Sequence, residues 1–278
     1  MSILNDTYVL SNGVNIPKLG LGTWQVSPED AVRVVDFALN NGYKHIDTAR
    51  NYGNSDAVGQ GWKNSGIPRE DFFLTTKVRA GSKSYEAAKQ DIEDELENLQ
   101  TDYIDLVIIH CPQPWDQFER FGTENRFFEE NLEVWRCMEE YYEAGKIKAI
   151  GVSNFNTVDL ENLVENAKIK PMVNQISYRI GYTEDEIVEY CEDNDILVEA
   201  FSPLGTGEIL DNKDIKKVAD KYDKSVAQIA IRYVLEHGHV VLAKSVHEEY
   251  ILENAQVDFE ISDEDMAYLD SLDTSKKN

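Results

Sequence analysis

Three short apolar runs each finish on a titratable side chain. The run Tyr43 to Ile46 delivers Asp47, FFLTTK ends in Lys77 and DLVIIH ends in His110, while Tyr52 follows Asp47 in the turn before a helix. A phenol loses its proton near pH ~10, too high for efficient acid–base work at neutrality. An ammonium alongside favours the phenolate and lowers that value, and a carboxylate pairing the ammonium fixes its position and charge. A neutral imidazole can donate a hydrogen bond to a carbonyl oxygen and stabilise charge developing on it. Together the four groups suit protonation of an oxyanion while something else attacks the carbonyl carbon. No side chain supplies an obvious nucleophile for that attack, so a cofactor hydride is the economical candidate.

Residues so far apart in sequence can meet only if the chain carries them to one rim. Short β-rich runs occur at 19–22, 43–46, 72–76, 104–109, 148–152, 172–176, 196–201 and 240–243. Helical patterns separate them. Ser27-Pro28-Glu29-Asp30 is a helix start with a cap, a proline at the first helical position and acids in the first turn. Behind it Ala31, Val34, Val35, Ala38 and Leu39 fall on one helical face, and Asn41-Gly42 closes the helix. Further helices are expected near 56–64, 84–99, 129–143, 157–166, 184–193, 213–221 and 226–236. Alternating strands and helices imply parallel pairing through right-handed crossovers. Eight such units with no Pro-, Gly- or Ser-rich linker favour a closed (β/α)8 TIM barrel, spanning 1–278 as one domain. The carboxyl ends of its strands form one rim, where Asp47, Tyr52, Lys77 and His110 would converge.

Two additions to the barrel are legible. Tyr8 to Leu10 and Val14 to Pro17 flank Ser11-Asn12-Gly13, and Asn-Gly favours a tight hairpin because both residues tolerate positive φ. That hairpin would cap one end of the barrel. At the other terminus Ser262-Asp263-Glu264-Asp265 begins an extra C-terminal helix, and the tail TSKKN is expected to fray. The longest irregular piece, Cys111 to Phe128, mixes Trp115, Phe118, Phe121 and Phe127 with charges and would shape access to the rim. Gly20-Leu21-Gly22 is a poor dinucleotide fingerprint, lacking the third glycine.

Composition narrows the partners. Lys and Arg number 27 against 52 Asp and Glu, a formal net charge of -25, with no basic patch. Such a field repels phosphate backbones and anionic membrane surfaces, so neither nucleic acid nor membrane is an expected partner. Hydrophobic residues at 42% supply a sizeable core and exclude a disordered chain. No leader pattern or membrane-length apolar run is present, which suggests a cytoplasmic protein. Cys111, Cys137 and Cys191 form no CxxC or metal-ligand spacing, so neither a disulfide framework nor a metal is expected.

Three segments carry a family likeness. GYKHIDTARNYGNSDAVG (42–59), KAIGVSNF (148–155) and LAKSVHEEYILENAQV (242–257) resemble the three signatures of the aldo-keto reductases, in order and over nearly the whole chain. The likeness is greatest to small bacterial reductases of aldehydes, ketones and keto-sugar acids. It implies NAD(P)H-dependent reduction of a small-molecule carbonyl by a monomer or weak homodimer. Tyr52 would be the proton donor, Lys77 and Asp47 would tune it, and His110 would orient and polarise the carbonyl. Ser153, Asn154 and Gln175 would hold the nicotinamide carboxamide and Phe201 would stack on the ring. Thr23, Ser202, Leu204, Lys244, Ser245, Tyr250, Glu253 and Asn254 would line the remainder of the cofactor, with Trp24 and Cys111 facing the substrate.

Departures from the family pattern matter too. Ser55 stands where a glutamate is usual, a change expected to affect packing more than chemistry, and Ala243 replaces a common proline. Cys111 replaces a frequent aromatic. Tyr250 occupies the place of the arginine that usually clamps the 2'-phosphate, with Glu248 and Glu249 beside it. The likeness implies NADPH as the cofactor, but this substitution predicts a weaker preference for it than the family norm and admits NADH. Two other classes stay open at this point: a Schiff-base enzyme using Lys77, and a non-catalytic cofactor-sensing subunit.

Overall fold

The computed structural model describes residues 2–274. Ser27 caps helix α1 (Pro28–Asn40) as its pattern dictates, its Oγ accepting the Asp30 N–H at 3.1 Å, and Ala31, Val34, Val35, Ala38 and Leu39 are all buried. The same strand–helix unit repeats around a closed barrel. Its strands are β3 (Leu19–Gly22), β4 (His45–Asp47), β5 (Phe73–Val78), β6 (Ile104–Ile109), β7 (Ile147–Ser153), β8 (Val173–Ser177), β9 (Leu197–Phe201) and β10 (Val240–Ala243). All neighbours pair in parallel, and β10 closes on β3 through Val241 opposite Leu19. Strands buried on both faces read as near-continuous apolar runs, which is why β6 is Ile-Asp-Leu-Val-Ile-Ile.

The helices between them are α2 (Ser55–Ser65), α3 (Tyr85–Asn98), α4 (Phe128–Glu143), α5 (Thr157–Asn166), α6 (Asp185–Asp193), α7 (Lys213–Tyr222) and α8 (Val226–Glu236). Strict alternation fails at one place: β9 is followed by two helices, and β10 by a separate short helix, α9 (Glu248–Asn254). The sequence pattern gives no warning of α9, because seven residues are too few to show helical periodicity. Helix α10 (Asp263–Asp270) follows, capped by Ser262. Of the tail expected to fray, only Thr274 lies within the described residues, and there its Oγ1 donates to Ile180 O at 2.6 Å.

Strands β1 (Thr7–Val9) and β2 (Asn15–Pro17) form the antiparallel hairpin. Its turn differs from expectation. Gly13 alone has positive φ, at 87°, with its N–H donating to Leu10 O and Leu10 paired to Val14. The loop therefore holds three residues rather than two, and only the glycine is left-handed.

Side chains alternate across a strand, so every second residue enters the barrel. His45 and Asp47 of β4, Thr75 and Lys77 of β5, Gln175 of β8, and Glu199 and Phe201 of β9 share the inner parity. Their contacts, described below, show them meeting there. Apart from Phe201 these residues are buried among an otherwise aliphatic core.

Candidate active site

Lys77 is 1% exposed and donates to Asp47 Oδ1 at 2.8 Å, Asp47 Oδ2 at 2.7 Å and Thr48 O at 2.8 Å. Three acceptors saturate the three N–H bonds of an ammonium. Burial acts to lower the Lys77 pKa, but the Asp47 and Tyr52 charges and the hydrogen bond to Asp47 outweigh it and leave it raised. The lysine is a fixed cation.

Tyr52 lies at the end of a single 3-10 turn (Arg50–Tyr52) that Gly53 terminates at φ 67°. Its ring centroid is 5.0 Å from Lys77 Nζ and 5.6 Å from the centroid of the His110 ring, which meets it edge-on. Burial pushes the phenol up to about 12; Lys77 acts to lower it and Asp47 to raise it further. The lowering by the ammonium that the sequence suggests is therefore present but outweighed, and the hydroxyl keeps its proton at neutrality. His110, just past β6, is held well below the ordinary imidazole value by burial and by the Lys77 charge. It is neutral, and Asn154 Nδ2 donates to its backbone carbonyl at 3.1 Å.

These groups form one end of a cavity of about 1180 Å³. Asp47, Tyr52 and His110 line it together with Trp24, Ser153, Asn154, Gln175 and Phe201. From there it runs to Ser202, Leu204, Lys244, Ser245, Tyr250, Glu253 and Asn254. Four of the lining residues are non-glycines in the left-handed region: Gln25 (φ 56°), Thr206 (φ 56°), and, directly after their strands, Asn154 (φ 62°) and Ser202 (φ 53°). Asn154 follows β7 and Ser202 follows β9, and there the costly backbone turns the chain along the cavity wall. Asn156, not Ser153 or Asn154, caps α5, its side chain and that of Asp159 exchanging bonds in a capping box.

Two of the sequence-derived residues lie elsewhere. Thr23 is fully buried behind the wall, its Oγ1 donating to Asp47 O at 3.0 Å. Cys111 is fully buried and does not line the cavity, where Trp115 and Phe118 stand instead; Trp115 meets the His110 ring edge-on at 5.2 Å. The aromatic wall comes from the long loop, not from the strand's exit. Ser55 bonds to Glu95 Oε2 at 3.0 Å on the outer face of the barrel, a packing contact as expected.

Sequence reasoning missed Lys216, Lys224 and the start of α8 from Ser225 to Ala227, all on the cavity. Lys216 lies on α7, Lys224 in the turn after it, and Ser225 to Ala227 at the start of α8; both helices are expected from the pattern, but not which of their residues face the cavity. It also missed Glu199, although a charged residue midway along an apolar strand was a readable signal.

A parallel barrel with an acid, an amine, a phenol and an imidazole at the carboxyl rim, opening into a long cleft, is the architecture of a (β/α)8 enzyme acting on a small ligand. Residues 18–274 match the model of the aldo/keto reductase family, and the chain belongs to that family. It is 43% identical to the glyoxal reductase of Bacillus subtilis over 276 residues, which are 99% of this chain and 95% of that one. An aldo-keto reductase from a Medee basin deep-sea metagenome library superposes with a TM-score of 0.90 at 41% identity, over 98% of this chain and 97% of that one. Another, crystallised with NADPH, superposes at 0.87 and 33% identity, over 98% of this chain and 89% of that one. The chain is thus of an oxidoreductase family that acts on small carbonyl compounds. Among the described residues no helix is long and apolar enough to cross a membrane, and no cluster of side chains could hold a metal ion.

Proposed function

We propose that this protein reduces small aldehydes and ketones, α-dicarbonyls among them, with a nicotinamide cofactor and with Tyr52 as the proton donor. The observation that carries the reading is the Lys77–Asp47 pair set behind a protonated phenol that shares the cavity with a neutral imidazole. The residues suit the cofactor. The cavity of about 1180 Å³ is roomy, and Gln175 lines it with both amide N–H bonds directed to Asp47 and Glu199, which leaves its carbonyl as the group to offer a ligand. Lys244 is an exposed cation at the far end.

A reduced nicotinamide held by Ser153, Asn154, Gln175 and Phe201 would supply the hydride to the carbonyl carbon. Tyr52 Oη gives its proton to the carbonyl oxygen as negative charge develops there. His110 donates a hydrogen bond to the same oxygen, which its neutral ring can do without competing for the proton. Lys77, fixed as a cation by Asp47 and Thr48, stabilises the phenolate left on Tyr52. Trp24, Trp115 and Phe118 exclude water around the carbonyl.

A Schiff base on Lys77 is disfavoured, because attack needs a free amine and this one is protonated and bonded three ways. The Bacillus subtilis relative is named for glyoxal, which makes α-dicarbonyls the first substrates to try. Oxidation of NADPH and NADH followed spectrophotometrically against aldehydes, dicarbonyls and keto-sugars tests the proposal. Turnover with a dicarbonyl supports it. Nucleotide binding without turnover on the whole panel would favour a cofactor-sensing role instead.

A further inference from the structure

Beneath the tetrad the barrel holds two titratable side chains that no step above uses. Glu199 and His45 are fully buried and point inward by strand parity, Glu199 two residues before Phe201 and His45 two before Asp47. Glu199 Oε2 accepts a hydrogen bond from Gln175 Nε2 at 2.6 Å, and the same nitrogen donates to Asp47 Oδ2 at 2.9 Å. A primary amide has two N–H donors in fixed relation to its carbonyl. With both taken by carboxyl groups inside the barrel, Oε1 is the polar atom of Gln175 that remains, on a residue that lines the cavity. Turning the amide over would set Oε1 against the Asp47 carboxylate, an acceptor facing an acceptor. The Asp47 carboxylate therefore sets which way round the amide lies, and Glu199 holds it there by taking the second N–H.

We propose that Glu199 is a positioning residue for the nicotinamide ring: with Asp47 it locks the Gln175 amide so that only its carbonyl faces the cavity, where it accepts a hydrogen bond from the cofactor's carboxamide. The inference rests on the nicotinamide reading above.

The charges around Glu199 are consistent with this role. Lys77 is already matched by Asp47, so an ionised Glu199 would be a second buried anion. Burial, and then the Asp47 charge, push Glu199 up to about 8, against the lowering by Gln175 and Lys77. His45 Nε2 is 3.7 Å from Glu199 Oε1 but is bonded to Thr75 Oγ1 at 3.0 Å, and burial holds its pKa at about 3. A neutral acid beside a neutral imidazole follows. What Glu199 contributes is an acceptor of fixed position, which an amide of the same shape also provides.

Binding of NADPH and of its 3-acetylpyridine analogue, in which a methyl ketone replaces the carboxamide, separates positioning from general support of the fold. Quenching of tryptophan fluorescence gives both dissociation constants for wild type, Glu199→Gln and Glu199→Leu. The Leu variant is expected to weaken NADPH about tenfold, the loss of roughly one well-oriented hydrogen bond, and to leave the analogue within about twofold. The Gln variant keeps both within about twofold. Equal weakening of the two ligands by Leu, no weakening of either, or a Gln variant that behaves like Leu overturns the role. If Glu199→Leu does not fold, Glu199→Met makes the same comparison with the same expected and contrary results. A wild type that binds neither dinucleotide removes the nicotinamide reading itself, whereas a wild type that binds NADPH with a ratio unchanged by Leu removes only the role of Glu199.

Discussion

The Lys77 ammonium and the Asp47 carboxylate make a two-pronged ion pair, 2.8 and 2.7 Å long, within the wall of the barrel and 5.0 Å behind the centre of the Tyr52 ring. Two elements of the sheet thus meet at one buried charge. The pair fixes a positive charge where a phenolate would form, and it does so before any ligand arrives.

Removing one partner of such a pair strands the other in a medium that solvates it poorly. Lys77→Met is expected to cost about 3–5 kcal/mol of stability, read from denaturant unfolding. Lys77→Met with Asp47→Asn regains a large part of that loss, since no charge is then left alone, yet carbonyl reduction stays lost. A single variant as stable as wild type would mean the pair is solvated.

Glu199 makes stability depend on pH. Its folded value of about 8 lies above the ordinary carboxylate value of 4.5, so the folded state holds the proton more tightly than the unfolded chain. That contribution is complete below about 4.5 and is lost as pH rises toward 8. Asp47, Lys77 and His45 are the charged and titratable groups facing it. The melting temperature of wild type relative to Glu199→Gln should therefore fall between about pH 5 and 8. A flat difference across that window contradicts a protonated Glu199.

Tyr250 is half-exposed, lines the cavity and has no charge to offer a 2'-phosphate; Glu248, which pairs with Arg33 at 3.2 Å, adds negative charge nearby. Tyr250→Arg should raise the ratio of kcat/KM for NADPH over NADH about tenfold, as one charge-assisted contact would. A wild type already preferring NADPH a thousandfold, with no gain in the variant, would mean Lys244 and Ser245 suffice.

The loop from Cys111 to Phe127 is anchored by Arg126, which is buried, pairs with Asp159 and donates to Gln113 Oε1 at 2.9 Å and Glu119 O at 2.7 Å. Trp115 and Phe118 ride on it. Arg126→Met should raise KM for the carbonyl at least about fivefold while changing the NADPH dissociation constant less than twofold, along with a stability loss of about 3 kcal/mol. Equal effects on both ligands would mean the loop does not shape the substrate end.

The barrel was legible because buried parallel strands are unbroken apolar runs, and Asp47, Lys77 and His110 stand out where such runs end. Helix α1 was legible to its cap at Ser27. Less of the cofactor half could be read. Helices α7 and α8 were expected, but that Lys216 and the turn residue Lys224 reach the cavity depends on how the pair packs, and α9 is too short to show a period. Cys111 and Thr23 were assigned through the family likeness, but a strand's exit sends adjacent side chains to opposite sides, and both are buried off the cavity beside His110 and Trp24, which line it. The inner network of Gln175, Glu199 and His45 depends on strand parity and register, which pairing fixes only once the barrel closes.

The proton on Tyr52 is the centre of the account. Tyr52→Phe removes one oxygen from a residue whose ring packing can stay unchanged. Steady-state reduction of a dicarbonyl and the NADPH dissociation constant, measured on the same preparation, give the direct test. The predicted result is a fall in kcat of at least about a thousandfold, with cofactor affinity within about twofold of wild type. A variant that turns over within about tenfold of wild type would contradict Tyr52 as the proton donor.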